Sequence, residues 1–232
     1  MPTFASRCKV TFPALIIPFL ASLIYFVWLA GDPLAKWAYT GTKVFTLVWP
    51  WFAVYYILRS RSDHSSHARP SGKLRDEIKI GVLFGSIIAG AIFLFMASPL
   101  GSVVHSAKPL ILQKVQDLGI LNHYWWFAIF LSVIHSWIEE IYWRWFAYGQ
   151  LRKIIYEPWA HGVAAVAFAA HHVVVLNQFF PLFWALFFGS LVAVGGAIWS
   201  VLYMTRHSIV ASWISHMIAD FAILTVGYQV LY

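Results

Sequence analysis

Residues 124–151 read YWWFAIFLSVIHSWIEEIYWRWFAYGQL, an apolar stretch long enough to cross a bilayer. Its second half carries three ionisable side chains, Glu139, Glu140 and Arg144. A charged group near the middle of a membrane costs about 2.5–3.5 kcal/mol even on a lenient insertion scale, so such groups are usually paired and functional. Arg144 lies one helical turn beyond Glu140 and is expected to neutralise it. Glu139 is then left as a carboxylate that can act as a base.

The composition predicts a membrane protein. Of the 232 residues, 61% are hydrophobic and 11% are charged, which is far from the composition of a soluble domain. The formal net charge of +7 comes from basic residues clustered between apolar runs, and this argues against a nucleic-acid partner. The single cysteine, Cys8, excludes an internal disulfide framework and a multi-cysteine metal site. We expect one integral-membrane domain, residues 1–232, with the lipid bilayer as its surroundings.

Apolar runs of about 20 residues predict an all-α, polytopic membrane helix bundle with about seven transmembrane helices. The predicted spans are residues 12–31, 35–58, 79–99, 124–150, 158–178, 180–204 and 207–231. Residues 100–121 mix apolar and polar positions around Pro109, a pattern that favours an interfacial amphipathic helix.

Basic residues between the spans predict the orientation. Arginines and lysines are concentrated in the loop at residues 59–78, which we therefore expect in the cytoplasm. Alternation across seven spans then places the N-terminus, Arg152, Lys153 and Arg206 on the cytoplasmic side and the C-terminus on the other side.

Two later spans also carry polar side chains. His172 lies in VAAVAFAAHHVVVL, and His216 and Asp220 lie in IVASWISHMIADFAIL, where their i,i+4 spacing puts them on one helix face. Counted from the predicted cytoplasmic ends, these histidines and Glu139 lie at similar depths, on the order of 14–21 Å at 1.5 Å per residue. Similar depths on three helices predict one shared buried site.

Such a site is suited to hydrolysis of a peptide or related acyl bond. A glutamate and an imidazole can hold a water molecule and deprotonate it, and a second histidine can donate a hydrogen bond to the oxyanion. The G-x-S-x-G and H-E-x-x-H motifs are absent from the sequence. A zinc ion held by Glu139, His172 and His216 is the alternative that the residues leave open, because two histidines and a carboxylate form a recognised catalytic zinc site.

Three short motifs resemble those of the CPBP family, the CAAX-processing and bacteriocin-processing intramembrane endopeptidases, also called Abi proteins. EEIYWR at 139–144 is similar to the family's E-E-x-x-x-R motif, FAAHH at 168–172 to F-x-x-x-H, and HMIAD at 216–220 to H-x-x-x-N/D. They occur in the family's order within residues 120–225. The resemblance implies a multi-spanning endopeptidase whose partner is a protein or peptide at the membrane, of the prenylated CAAX, bacteriocin or sorting-signal class.

The resemblance also implies a role for each matching residue. Glu139 would activate water with the help of His172. Glu140 and Arg144 would organise the site, and Phe168 would shape the pocket by packing. His171, the neighbour of His172, is expected to point elsewhere on its helix and to be structural.

For the third motif the resemblance implies an oxyanion-binding pair, His216 with Asp220. The family often has asparagine at the second position, and an ionised carboxylate would repel an oxyanion. Asp220 is therefore expected to act protonated or to orient His216.

A cofactor-free site is the favoured interpretation, since the Arg144 charge one turn from Glu139 disfavours a divalent cation there. A zinc-dependent version of the same protease is the alternative. From other classes, a non-catalytic immunity or scaffold protein on the same fold and a transporter with a proton relay are the rival interpretations.

Overall fold

The computed structural model describes residues 2–59 and 73–232, and within these ranges the chain is helical and contains no strand. The predicted all-α polytopic bundle is confirmed. In this part of the chain, helices α1 to α9 span Phe4–Trp28, Ala35–Phe52, Leu74–Ala97, Ser102–Ser106, Lys108–Asp117, Leu121–Leu151, Glu157–Leu176, Leu182–Arg206 and Val210–Leu231. Helix α2 continues as a π-helical turn over Ala53–Ile57.

The predicted count of seven membrane spans is not confirmed. Five described helices are long and apolar enough to cross a membrane, namely α1, α3, α7, α8 and α9. Helices α5 and α6 meet the same criterion only as a pair bent by 89°, which gives up to six. The predicted span at 35–58 is helical, as α2, but it is not among them because two lysines and several Thr, Tyr and Trp residues reduce its apolar character. The predicted interfacial segment, 100–121, forms the short helices α4 and α5.

Two helices begin earlier than the apolar runs predict. Helix α1 starts at Phe4 instead of residue 12, because the Thr3 side chain caps it by accepting a hydrogen bond from the Ser6 amide at 3.2 Å. Helix α3 starts at Leu74, so Arg75 belongs to its first turn. Residues 60–72, most of the predicted cytoplasmic loop, lie outside the described residues, and the orientation stays a prediction.

The chain divides into two compact units. The single integral-membrane domain stays a prediction. The first unit combines residues 1–71 with 138–209, and the second combines 72–137 with 210–232. One of the points at which the chain changes unit lies inside α6, between Trp137 and Ile138. Glu139 and His172 therefore belong to the first unit, and His216 belongs to the second.

In the first unit, the C-terminal half of α6 forms the core and is fixed to α1. Tyr142, Phe146 and Tyr148 are each at most 1% exposed. The Tyr142 hydroxyl donates a hydrogen bond of 2.8 Å to the backbone carbonyl of Ala14. This carbonyl is available because Pro18, four residues further along α1, has no amide hydrogen. A proline in α1 thus creates the acceptor that anchors α6.

In the second unit, α3 and α9 pack closely through glycines on α3. A methyl group added at Gly81 would lie 2.7 Å from the Ala211 carbonyl oxygen and 2.7 Å from the Ile214 Cβ. Such distances are too short for a carbon contact, so only glycine allows this approach. The Tyr124 hydroxyl on α6 donates to the Leu224 carbonyl at 2.7 Å and ties α9 to α6 as well.

We expect Gly81→Ala to lower the free energy of unfolding by about 1–3 kcal/mol, because the added methyl group pushes against backbone atoms of α9. Gly90→Ala on the same helix is the control, since nothing lies within 4 Å of a methyl group there. It should leave stability unchanged or raise it by up to about 1 kcal/mol through helix propensity. Thermal unfolding in detergent compares the two variants, and equal melting temperatures would contradict the close packing.

Candidate active site

A buried ion pair lies in the middle of the first unit. Arg144 Nε is 3.4 Å from Glu140 Oε1, and the two residues are 1% and 0% exposed. The predicted pairing is confirmed. Glu140 ends a short α-helical turn of α6, and Arg144 lies in the π-helical segment Ile141–Tyr148 that follows. Wide π-helical turns of this kind are frequent at functional sites.

Aromatic rings enclose the Arg144 guanidinium. Its central carbon lies 4.6 Å from the ring centroid of Phe168 on α7 and 5.1 Å from that of Trp199 on α8. Both distances are in the range of cation–π attraction, which is strongest for groups removed from water. We refer to Glu140, Arg144, Phe168 and Trp199 as the arginine clamp. Phe168 packs as predicted, whereas sequence analysis missed Trp199.

A glycine on α8 makes the arginine clamp sterically possible. A methyl group added at Gly196 would lie 3.1 Å from Phe168 Cδ1 and 3.5 Å from the Ala165 Cα. Helix α8 therefore approaches α7 closely at this level. Trp199 lies three residues further along, close to one helical turn, and this spacing brings its ring to the guanidinium.

The backbone determines which nitrogen of His172 carries a proton. Its Nδ1 lies 2.9 Å from the Phe168 carbonyl oxygen, one turn earlier in α7. A carbonyl oxygen only accepts hydrogen bonds, so Nδ1 must be the donor. Nε2 of the neutral ring then presents a lone pair, which is the form needed for a base or a ligand.

The expectation that His171 points elsewhere on its helix than His172 is wrong. His171 Nε2 lies 3.9 Å from Glu139 Oε1, and the His171 and His172 ring centroids are 4.1 Å apart. His171 also stacks on Trp143, with centroids 5.6 Å apart and planes 4° from parallel. Neighbouring helix residues point about 100° apart, and two long imidazole side chains on either side of one carboxylate bridge that angle.

Glu139, His171 and His172 each offer one atom that could bind a metal ion, and these atoms lie within 4.8 Å of one another. We call them the three-residue cluster, and by distance it could hold a metal ion. This set differs from the predicted one, which had His216 in place of His171; His216 lies in the second unit.

Two cations act electrostatically on Glu139. One is Arg144 of the arginine clamp, and the other is Lys43 of α2, whose amino group also lies 5.3 Å from the Tyr39 ring centroid. Lys43 was missed by sequence analysis, although a lysine within an apolar run is a signal that could have indicated it.

In the second unit, the predicted pair on α9 forms. His216 Nε2 lies 3.5 Å from Asp220 Oδ1, His216 is buried, and the i,i+4 spacing explains their shared face. One turn earlier, Trp213 donates from Nε1 to the Val133 carbonyl of α6 at 3.0 Å. Trp213 also packs edge to face on Trp137. These contacts fix the start of α9 and with it the position of His216 within the unit.

Residues 121–222 match the family model described as type II CAAX prenyl endopeptidase Rce1-like, and the match includes all three motifs. The similarity to that family covers these 102 of the 232 residues. The Rce1-like stretch contains α6, α7, α8 and the first half of α9, and hence the arginine clamp and the three-residue cluster. The resemblance stated from the motifs is confirmed, and the family supports a membrane protease. Comparisons with curated proteins and with solved structures found no match.

In the Rce1-like stretch, Arg144→Ala would leave the Glu140 charge in an apolar interior. We expect it to lower the free energy of unfolding by about 3–5 kcal/mol, as for other broken buried ion pairs. Thermal unfolding in detergent measures the loss. Arg75→Ala, at an exposed position on α3, should change stability little, and Glu139→Ala should cost less than Arg144→Ala. Wild-type stability of Arg144→Ala would show that the pair is not structural.

Proposed function

We propose that this chain is an intramembrane endopeptidase that cuts a membrane-associated protein or peptide with a water molecule activated by Glu139 and His172. The observation that carries the proposal is the placement of Glu139 against the two adjacent imidazoles of α7, beside the arginine clamp. The match to a family of type II CAAX prenyl endopeptidases supports the reaction class.

In the proposed reaction, the oxygen of the water attacks the carbonyl carbon of the scissile peptide bond. Glu139 takes the proton that the water loses, and His172 accepts a hydrogen bond from the same water through its unprotonated Nε2. The carbon–nitrogen bond then breaks, and Glu139 returns the proton to the leaving amine. The arginine clamp neutralises Glu140, so that Glu139 is the carboxylate left for proton transfer.

We assign the oxyanion step to the third motif. A protonated ring nitrogen of His216 would donate to the oxyanion, and Asp220 would orient the imidazole. The contact of 3.5 Å within α9 supports an orienting role for Asp220. An orienting carboxylate does not need to face the negative charge that develops on the substrate.

For the substrate, we propose the C-terminal peptide of a prenylated CAAX protein as the first class to test, since the family description names prenyl endopeptidases. Bacteriocins and sorting-signal proteins are the other classes that the resemblance implies. Each is a peptide presented at a bilayer, which suits an enzyme whose catalytic residues lie on apolar helices.

We further propose that the reaction needs no metal ion. Arg144 and Lys43 place two positive charges near Glu139, and both repel a divalent cation at that carboxylate. A carboxylate with an imidazole is sufficient to deprotonate water when a second imidazole stabilises the oxyanion.

Glu139→Gln should abolish cleavage of a farnesylated CAAX peptide by the purified protein, because a neutral amide does not accept the proton of the water. Expression and melting temperature should remain near wild type. Asp117→Asn, the same type of change at an exposed position on α5, is the control and should retain activity. Mass spectrometry of membrane proteins from cells with each variant would identify natural substrates by their changed termini. Full turnover by Glu139→Gln would refute the assignment.

Purified active enzyme should contain well under one zinc ion per chain and should keep its activity after prolonged treatment with o-phenanthroline. Elemental analysis and the peptide assay measure both. Stoichiometric zinc, with activity lost on its removal and restored by zinc alone, would overturn the metal-free proposal. Asp220→Asn should retain activity in the same assay, because an amide can also orient His216.

A further inference from the structure

We propose that His171 is a third group that holds the reacting water, together with Glu139 and His172. This inference rests on the proposed endopeptidase function and adds a catalytic residue to it. The F-x-x-x-H motif contains only the second histidine of the pair, so neither the motif nor the family match assigns a role to His171.

The geometry of the three-residue cluster fits one water molecule. The three atoms that its residues offer, one carboxylate oxygen and one ring nitrogen from each histidine, are at most 4.8 Å from one another. A point therefore exists that is no more than about 2.8 Å (4.8 Å divided by √3) from all three atoms. This is the ordinary length of a hydrogen bond to water. A single oxygen at that point would contact the carboxylate and both imidazoles at once.

The hydrogen-bonding capacities of the three groups complement those of water. Glu139 accepts through its carboxylate oxygen, and His172 accepts through Nε2, because its Nδ1 donates to the Phe168 carbonyl. These two acceptors use both hydrogens of the water. A third neighbour must then be a donor, and a protonated ring nitrogen of His171 supplies one.

His171 is free to be that donor. Its Nδ1 is buried and has no hydrogen-bond partner in the described part of the chain, so no backbone contact fixes which nitrogen carries the proton. Nε2, on the side of Glu139, can therefore carry it. With three contacts made, the water keeps one lone pair, which is directed away from the cluster and is available to attack a carbonyl carbon.

Packing holds the His171 ring in place independently of the water. The ring lies parallel to Trp143 and meets the Phe168 ring edge to face, with centroids 5.6 Å apart in each case. Both aromatic partners are buried, at 3% and 1% exposure. A phenyl ring at position 171 would preserve these contacts and would lose only the ring nitrogens.

The test compares His171→Phe and His171→Gln with the wild type in the farnesylated peptide assay. His171→Phe should melt like the wild type and should bind substrate with unchanged KM, while kcat falls by roughly a hundredfold or more, the size of a lost acid–base contact. His171→Gln should regain part of kcat, because its amide N–H can replace the donor. His161→Phe is the matched control on α7, since His161 also stacks on an aromatic ring, that of Tyr148, but lies outside the cluster.

Wild-type kcat in His171→Phe, with an active wild-type enzyme and an inactive Glu139→Gln variant, would overturn this inference and leave the proposed function intact. An inactive wild type would instead refute the proposed function for this peptide. The water site is then decided by an experimental structure at a resolution that shows waters. One water in contact with all three side chains supports the inference. An arrangement in which the carboxylate oxygen and the two ring nitrogens are too far apart to share a water overturns it. A stoichiometric metal ion that is lost in His171→Phe would also overturn it, because the cluster would then be a metal site.

Discussion

The ion pair between Glu140 and Arg144 is the constraint on which the first unit depends. Two opposite charges with almost no solvent exposure are tolerated only where they neutralise each other and where the surrounding groups favour the cation. The rings of Phe168 and Trp199 meet that second requirement. Since the four residues come from α6, α7 and α8, one electrostatic requirement fixes three helices at the level of Glu139.

Much of this arrangement could be predicted from the sequence, because part of it is local. Apolar run length placed most helix boundaries within a few residues, as in α7, and i,i+4 spacing correctly paired Glu140 with Arg144 and His216 with Asp220. The contributions of His171, Trp199 and Lys43 depend on how separate helices pack, which periodicity does not encode. The predicted count of seven spans is not confirmed, because α2 carries two lysines and several Thr, Tyr and Trp residues within its apolar run.

The adjacent histidines of α7 show how the backbone differentiates identical side chains. A carbonyl of its own helix fixes the proton of the His172 ring on Nδ1. His171 is held by stacking on Trp143, which does not depend on which ring nitrogen carries the proton. One imidazole thus has a fixed hydrogen-bonding role and the other has an adjustable one. Side by side, they provide an acceptor and a donor from a dipeptide.

The hydrogen bond from Tyr142 to Ala14 has a consequence for where this protein can be divided. The Rce1-like stretch begins at residue 121, yet the buried hydroxyl of Tyr142 within it is satisfied by a carbonyl on α1, more than 100 residues earlier. Separation of residues 121–222 from α1 would leave that hydroxyl without its hydrogen-bond acceptor in an apolar interior. The stretch that matches the family is therefore not a unit that folds by itself. It requires the N-terminal helix α1 in order to fold.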